Sequence, residues 1–132
     1  AMAAGLPEGA TGNVINLLDQ RVWNLTPEFV SYTLTKTGLW TLTQTMAMAL
    51  APHIRVNGIG PGPVLASKNQ TPEQFAAQVA ATPLKIPTPV EKIAEAVTFI
   101  LGSPTMTGQM IALDSGQHLA RGGKWQGGET DV

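Results

Sequence analysis

Tyr32 and Lys36 stand four positions apart in the run Ser31-Tyr-Thr-Leu-Thr-Lys36, and Asp19 stands thirteen positions before the tyrosine. Four positions is one helical turn, so the phenol and the ammonium share a helix face. A phenol ionises near ~10 in isolation, and moving its proton at neutral pH asks for about 4 kcal/mol of preferential stabilisation of the phenolate. An ammonium one turn away supplies part of that, which makes the pair a candidate proton donor. The same spacing also describes a surface tyrosine beside a solvated lysine. The surrounding elements have to decide between the two.

The chain has 132 residues, 43% hydrophobic and only 13% charged, which is a globular composition for one compact domain rather than a disordered one. Eight basic side chains nearly balance nine acidic ones. That balance argues against a nucleic acid or an anionic membrane surface as partner. There are no cysteines, and His53 and His118 have no companions at metal-ligand spacing, so no metal is expected. No apolar run reaches the length of a membrane span, and Ala1-Met2-Ala-Ala-Gly has no leader pattern, so the expected location is cytoplasmic. So little charge on a chain of this size predicts that part of its surface is covered.

Three Thr-Pro pairs, at residues 26–27, 71–72 and 88–89, read as N-cap threonines with proline in the first helical position. Gln74 and Glu91 complete capping-box patterns for the last two. Helices are therefore predicted over about 28–51, 72–80 and 89–101, the last stopped by Gly102. Continuous apolar runs at 14–18, 54–59 and 110–113 suit buried strands. Strand, helix, strand, helices, strand is a succession of βαβ units, which predicts an α/β fold with a parallel sheet of about three strands, part of a doubly wound Rossmann-like domain.

From Thr37 to Ile54 the first helix carries no formally charged side chain. Leu39, Leu42, Met46 and Leu50 form one stripe, yet Trp40 and Met48 lie off it, so the helix is apolar nearly all round. Three strands cover only one side, and a second subunit on the other is the expectation, with a greasy exposed surface as the alternative. Gly58-Ile-Gly-Pro-Gly-Pro-Val64 falls at the carboxyl end of a strand, where ligands settle in open α/β sheets, although a tight loop is the plainer reading. Residues 1–120 are read as one partial Rossmann-type domain and the glycine-rich 121–132 as a flexible tail, with only Trp125 to tie it down.

The strand Gly12-Asn-Val-Ile-Asn-Leu-Leu18 leading to Asp19, the Tyr32/Lys36 helix, Ile54-Arg-Val-Asn-Gly-Ile-Gly-Pro-Gly62 and Thr107-Gly-Gln-Met-Ile-Ala-Leu-Asp114-Ser-Gly116 stand in one order. In that order they resemble the carboxyl-terminal half of the short-chain dehydrogenase/reductases, over about residues 11–119. The family's opening glycine-rich turn, which seats the cofactor pyrophosphate, has no counterpart, because Gly5, Gly9 and Gly12 follow no strand. Most members place a serine where this chain has Asp19. An aspartate there is similar to the pteridine reductase and dihydropterin reductase branch, and suits proton delivery to a ring nitrogen, although a loop aspartate facing solvent is the alternative.

The resemblance implies that Tyr32 is the general acid, that Lys36 binds the nicotinamide ribose and lowers the tyrosine pKa, and that Asp19 completes the proton path. It implies NADP(H) as cofactor, with Pro61, Gly62, Pro63 and Val64 against the nicotinamide amide. Gly38 and Leu39 continue a family dimer helix, and Asp114 and Gly116 correspond to a second family contact surface. The expected activity is NAD(P)H-dependent reduction of a pterin-like or small carbonyl or imine compound once the amino-terminal half is supplied. The isolated chain is expected to bind dinucleotide poorly and to be inactive. The alternative is a non-catalytic remnant that acts as an oligomerising assembly module. Either way a homo-oligomer is expected, through helix 28–51 and through the open edge of strand 14–18. The choice between NADH and NADPH, the substrate, the oligomer size and the chain's status as a whole product or a fragment stay open.

Overall fold

The computed structural model describes residues 3–120, so the expected tail at 121–132, Trp125 included, lies outside the described residues. In chain order the elements are β1 (Gly12–Leu17), α1 (Val30–Leu50), β2 (Ile54–Pro61), α2 (Pro72–Ala80), α3 (Val90–Leu101) and β3 (Met110–Leu113). The strands form one sheet in the order β1-β2-β3 with both pairings parallel, Gly12 opposite Ile54 through Leu17 opposite Ile59, and Gly58 opposite Met110 through Pro61 opposite Leu113. The parallel α/β arrangement expected from the alternating pattern is the one observed.

Side chains of β2 alternate between two cores, as the period of two requires. Ile54 and Val56 meet Ala47 of α1, with Val14, Met46 and Leu50 packed around them. Ile59 meets Ala96 and Ile100 of α3, with Ile15, Ile111 and Leu113 around them. Helices thus cover both faces. Burying an isoleucine fully, as at Ile59 and Ile100, stabilises the fold by about 1.5–3 kcal/mol each.

Buried polar groups fasten the loops to this frame. Asn57 donates to the Met106 carbonyl at 2.8 Å and accepts from the Gln109 amide at 3.1 Å, which sets where β3 begins. Arg55 donates to the carbonyls of Met106 and Ile100 at 2.7 and 2.9 Å, satisfying the carboxyl end of α3.

The helix starts divide. Thr71 accepts from the Gln74 amide while the Gln74 side chain accepts from the Thr71 amide, a complete capping box as predicted. The other two Thr-Pro sites differ. Thr88 donates its hydroxyl to the Leu113 carbonyl, and the residue before α3 is Pro89, without a side-chain cap. Thr26 accepts from Arg21 at 2.7 Å, and α1 starts two residues later than expected, after Phe29 at φ 55. In both cases a partner outside the helix, Leu113 for Thr88 and Arg21 for Thr26, took the hydroxyl that capping would have used.

Candidate functional site

The site sits where the parallel strands end. β1 stops at Leu17, and Leu18 and Asp19 lead into a single 3-10 turn, Gln20–Trp23. Asp19 is the N-cap of that turn, accepting from the Arg21 amide through Oδ1 at 2.7 Å. Its other oxygen is left for the helix opposite. Tyr32, in the first turn of α1, donates its hydroxyl to Asp19 Oδ2 at 2.9 Å. Lys36 reaches back across the end of β1 and donates to the Leu17 carbonyl at 2.8 Å, with Nζ 5.8 Å from the Tyr32 ring centroid. The three residues predicted to work together are therefore brought together.

Their electrostatics depart from expectation. The Tyr32 hydroxyl is pushed up to about 12 by burial, then by the charge of Asp19 and by the hydrogen bond to it, with Arg21 opposing. Acidification of the phenol by Lys36 is not observed. Burial already disfavours the phenolate, and the hydroxyl is turned to a carboxylate while the ammonium is spent on a backbone carbonyl, so charge adds to burial rather than offsetting it.

Of the predicted cofactor loop, Gly62, Pro63 and Val64 line a cleft of about 660 Å³ together with Tyr32. Pro61 instead closes β2, opposite Leu113. Asp19 and Lys36 do not line the cleft wall, and they reach it through the tyrosine. Gly62 is required by close packing, since a Cβ there would stand 2.6 Å from the Asp114 Cα.

The 3-10 turn is clamped from outside. Trp23 packs edge-on against Trp40 of α1 at 6.3 Å and against His118 at 5.5 Å. His118 lies 2.7 Å from the buried Asp114 carboxylate, and Asn24 donates to the Ala120 carbonyl. Trp23, Gln20, Arg21, Phe29 and Gln117 were missed by sequence reasoning. Arg21 was the most visible of them, being a charge two residues after Asp19 in a chain with few charges. In the structure its guanidinium lies 5.4 Å from the Phe29 ring centroid, beside the cleft.

Lys36 uses one of an ammonium's three donors on Leu17, which leaves two for hydroxyl oxygens, and Gly62, Pro63 and Val64 line the cleft beside Tyr32. This donor set fits a nicotinamide ribose. Among the described residues there is no cluster of metal-ligating side chains and no helix long and apolar enough to cross a membrane.

A family model described as Enoyl-(Acyl carrier protein) reductase matches residues 1–118. The dihydromonapterin reductase of Citrobacter koseri is 27% identical over 110 residues, covering 83% of this chain and 46% of that protein. The FolM alternative dihydrofolate reductase 1 of Brucella canis, solved with NADP, is 52% identical with a TM-score of 0.88, covering 90% of this chain and 48% of that one. Its counterpart from Brucella suis, also with NADP, is 51% identical at the same TM-score. The chain spans about half the length of the relatives it matches.

Proposed function

Because the chain belongs to the short-chain dehydrogenase/reductase family, we propose that it forms the proton-donating side of an NAD(P)H-dependent reductase acting on a pterin-like or other small carbonyl or imine compound. The observation that carries this reading is the 2.9 Å hydrogen bond between Tyr32 and Asp19, at the edge of the cleft and within reach of a cation. The similarity to a dihydromonapterin reductase and to a FolM dihydrofolate reductase solved with NADP supports the pterin branch.

Lys36 and the loop Pro61–Val64 would hold the nicotinamide half of the dinucleotide, which supplies the hydride when bound. Tyr32 keeps its proton at neutral pH, since its pKa is pushed up to about 12. The hydroxyl is thus protonated, as the donor in a reduction must be, and giving that proton up requires the phenolate to be stabilised once cofactor and substrate are bound. Asp19 accepts from the hydroxyl and fixes where it lies. When the phenol gives its proton to the substrate, Arg21 is the cation whose charge favours the phenolate, while Lys36 lies 5.8 Å from the ring centroid.

Tyr32→Phe should abolish turnover in the completed enzyme while leaving the fold intact by circular dichroism. Equal activity in variant and parent would remove Tyr32 from the mechanism. Titration with NADPH of the chain completed by an amino-terminal half, followed by tryptophan fluorescence, gives an independent reading. Saturable submicromolar binding supports the enzyme.

Absence of binding would favour an assembly module that oligomerises through α1 and the open edge of β1. That second reading has its own support in Val30, Leu34 and Met48, which are exposed apolar residues on α1. A monomer by light scattering at micromolar concentration would count against it.

A further inference from the structure

A 3-10 turn of four residues, Gln20–Trp23, does not persist on its own backbone bonds, because so few of them do not offset the entropy of ordering the chain. The main chain before it is fixed by the sheet, since the Leu18 amide donates to the Ile59 carbonyl at 2.7 Å. The Asp19 carboxylate is fixed by the turn. Oδ1 stays on the Arg21 amide only while the turn is wound, and that contact leaves Oδ2 directed at the Tyr32 hydroxyl.

Trp23 closes the far end of the turn. Its ring meets Trp40 at 6.3 Å and 79°, and His118 at 5.5 Å and 75°. Both jaws are themselves held. Trp40 belongs to α1, about 12 Å along the axis from Tyr32. The His118 ring has Nδ1 2.7 Å from the Asp114 carboxylate, which is 3% exposed and also accepts from the amides of Gly116 and His118. The turn is thus tied to one helix at both ends, through Asp19 to Tyr32 and through Trp23 to Trp40. Arg21 and Asn24 add holds of their own, to Thr26, the Glu28 carbonyl and the Ala120 carbonyl, but these reach loop segments and not the helix that carries the tyrosine.

We propose that Trp23 is a positioning residue for the proton donor: gripped between Trp40 and His118, it keeps the turn wound so that Asp19 holds the Tyr32 hydroxyl in place. Its consequence for turnover rests on the reductase reading of this cleft. The contact itself is readable without turnover, because Tyr32 is the chain's one tyrosine. Releasing Trp23 frees the carboxylate to turn to solvent, and its charge and hydrogen bond no longer keep the phenol protonated, while burial, the largest cause, stays.

The test follows phenolate absorbance of the full chain in a stopped-flow alkaline jump, faster than unfolding, with stability to denaturant measured alongside. Trp23→Leu should raise the ionisation constant of Tyr32 about tenfold, and Trp23→Phe, which keeps an aromatic edge for both jaws, should stay within about twofold of the parent. In an Asp19→Asn background Trp23→Leu should change nothing further, because the charge it positions is gone. If Trp23→Leu does not fold, His118→Leu removes one jaw and should move the constant the same way by about threefold. A folded variant that loses stability but keeps the parent's ionisation constant would make Trp23 merely structural and overturn the proposal. So would an equal shift in Trp23→Phe, or a full further shift in the Asp19→Asn background, which would mean that Trp23 acts on the burial of Tyr32. A completed enzyme that reduces nothing while these constants behave as expected would sink the reductase reading and leave Trp23 in its role. Turnover in a protein whose Tyr32 ignores Trp23 would do the reverse.

Discussion

Ile93, Ala96, Val97 and Ile100 run down one side of α3 and meet β2 and β3, while Glu91, Lys92, Glu95 and Thr98 face solvent. α1 lies on the other face of the same sheet and has no such division. Only Thr43 and Ala47 of its residues are buried, and Leu34 and Met48 are 73% and 74% exposed. One helix sends a continuous apolar stripe onto the strands it covers, although Val90, Phe99 and Leu101 stay exposed. The other carries the candidate proton donor and presents an apolar flank that those strands cannot reach. A sequence periodicity of 3.6 identifies the first kind from the chain alone, whereas a helix apolar nearly all round gives no stripe by which to tell its covered side from its exposed one.

The largest expected effect tests the fitted side. Ile100 is fully buried against Ile59, and Ile100→Ala should cost about 2–5 kcal/mol in chemical denaturation. A loss under about 1 kcal/mol would mean that α3 is not the better anchored helix, and the contrast would fail.

The next concerns the start of α1. Tyr32 is the one tyrosine in the chain, so absorbance of its phenolate can be followed without ambiguity. Its folded pKa of about 12 lies above the ordinary 10.0. A raised phenol stabilises the fold fully below the unfolded value, and that contribution disappears as pH rises through the folded one. Stability should therefore fall between pH 10 and 12. Asp19→Asn keeps an oxygen for the Arg21 amide but removes the charge, and should bring the midpoint part of the way back toward 10. The shift is partial because burial is the larger cause. A midpoint below 10 in the parent would restore Lys36 as the controlling charge.

These two helices also mark what the sequence made legible. The strands, their parallel order and the body of all three helices followed from continuous apolar runs and from period. The capping box at Thr71 and Gln74 did too, because both partners lie within one turn. Thr88 was misread because its hydroxyl bonds Leu113, twenty-five positions away. The Tyr32 pKa was misread for a similar reason. Lys36 is visible at four positions, but only the fold shows that Asp19, thirteen positions off, receives the hydroxyl. Trp23 gave no signal because its ring partners, Trp40 and His118, are brought to it only by the fold.

The smallest expected effect bears on the exposed flank. In a monomer Leu34 contributes mostly to solvent-facing surface, so Leu34→Ala should change stability by less than about 0.5 kcal/mol. The measurement belongs at a concentration where sedimentation shows single chains, because a subunit that covers α1 would add stability by mass action and make the substitution costly only when the partner is present. The expected pattern is thus a near-zero effect on dilution and a growing one as concentration rises. A cost above about 1 kcal/mol in the dilute chain would mean that the folded monomer already buries this flank, and α1 would then be as well fitted as α3.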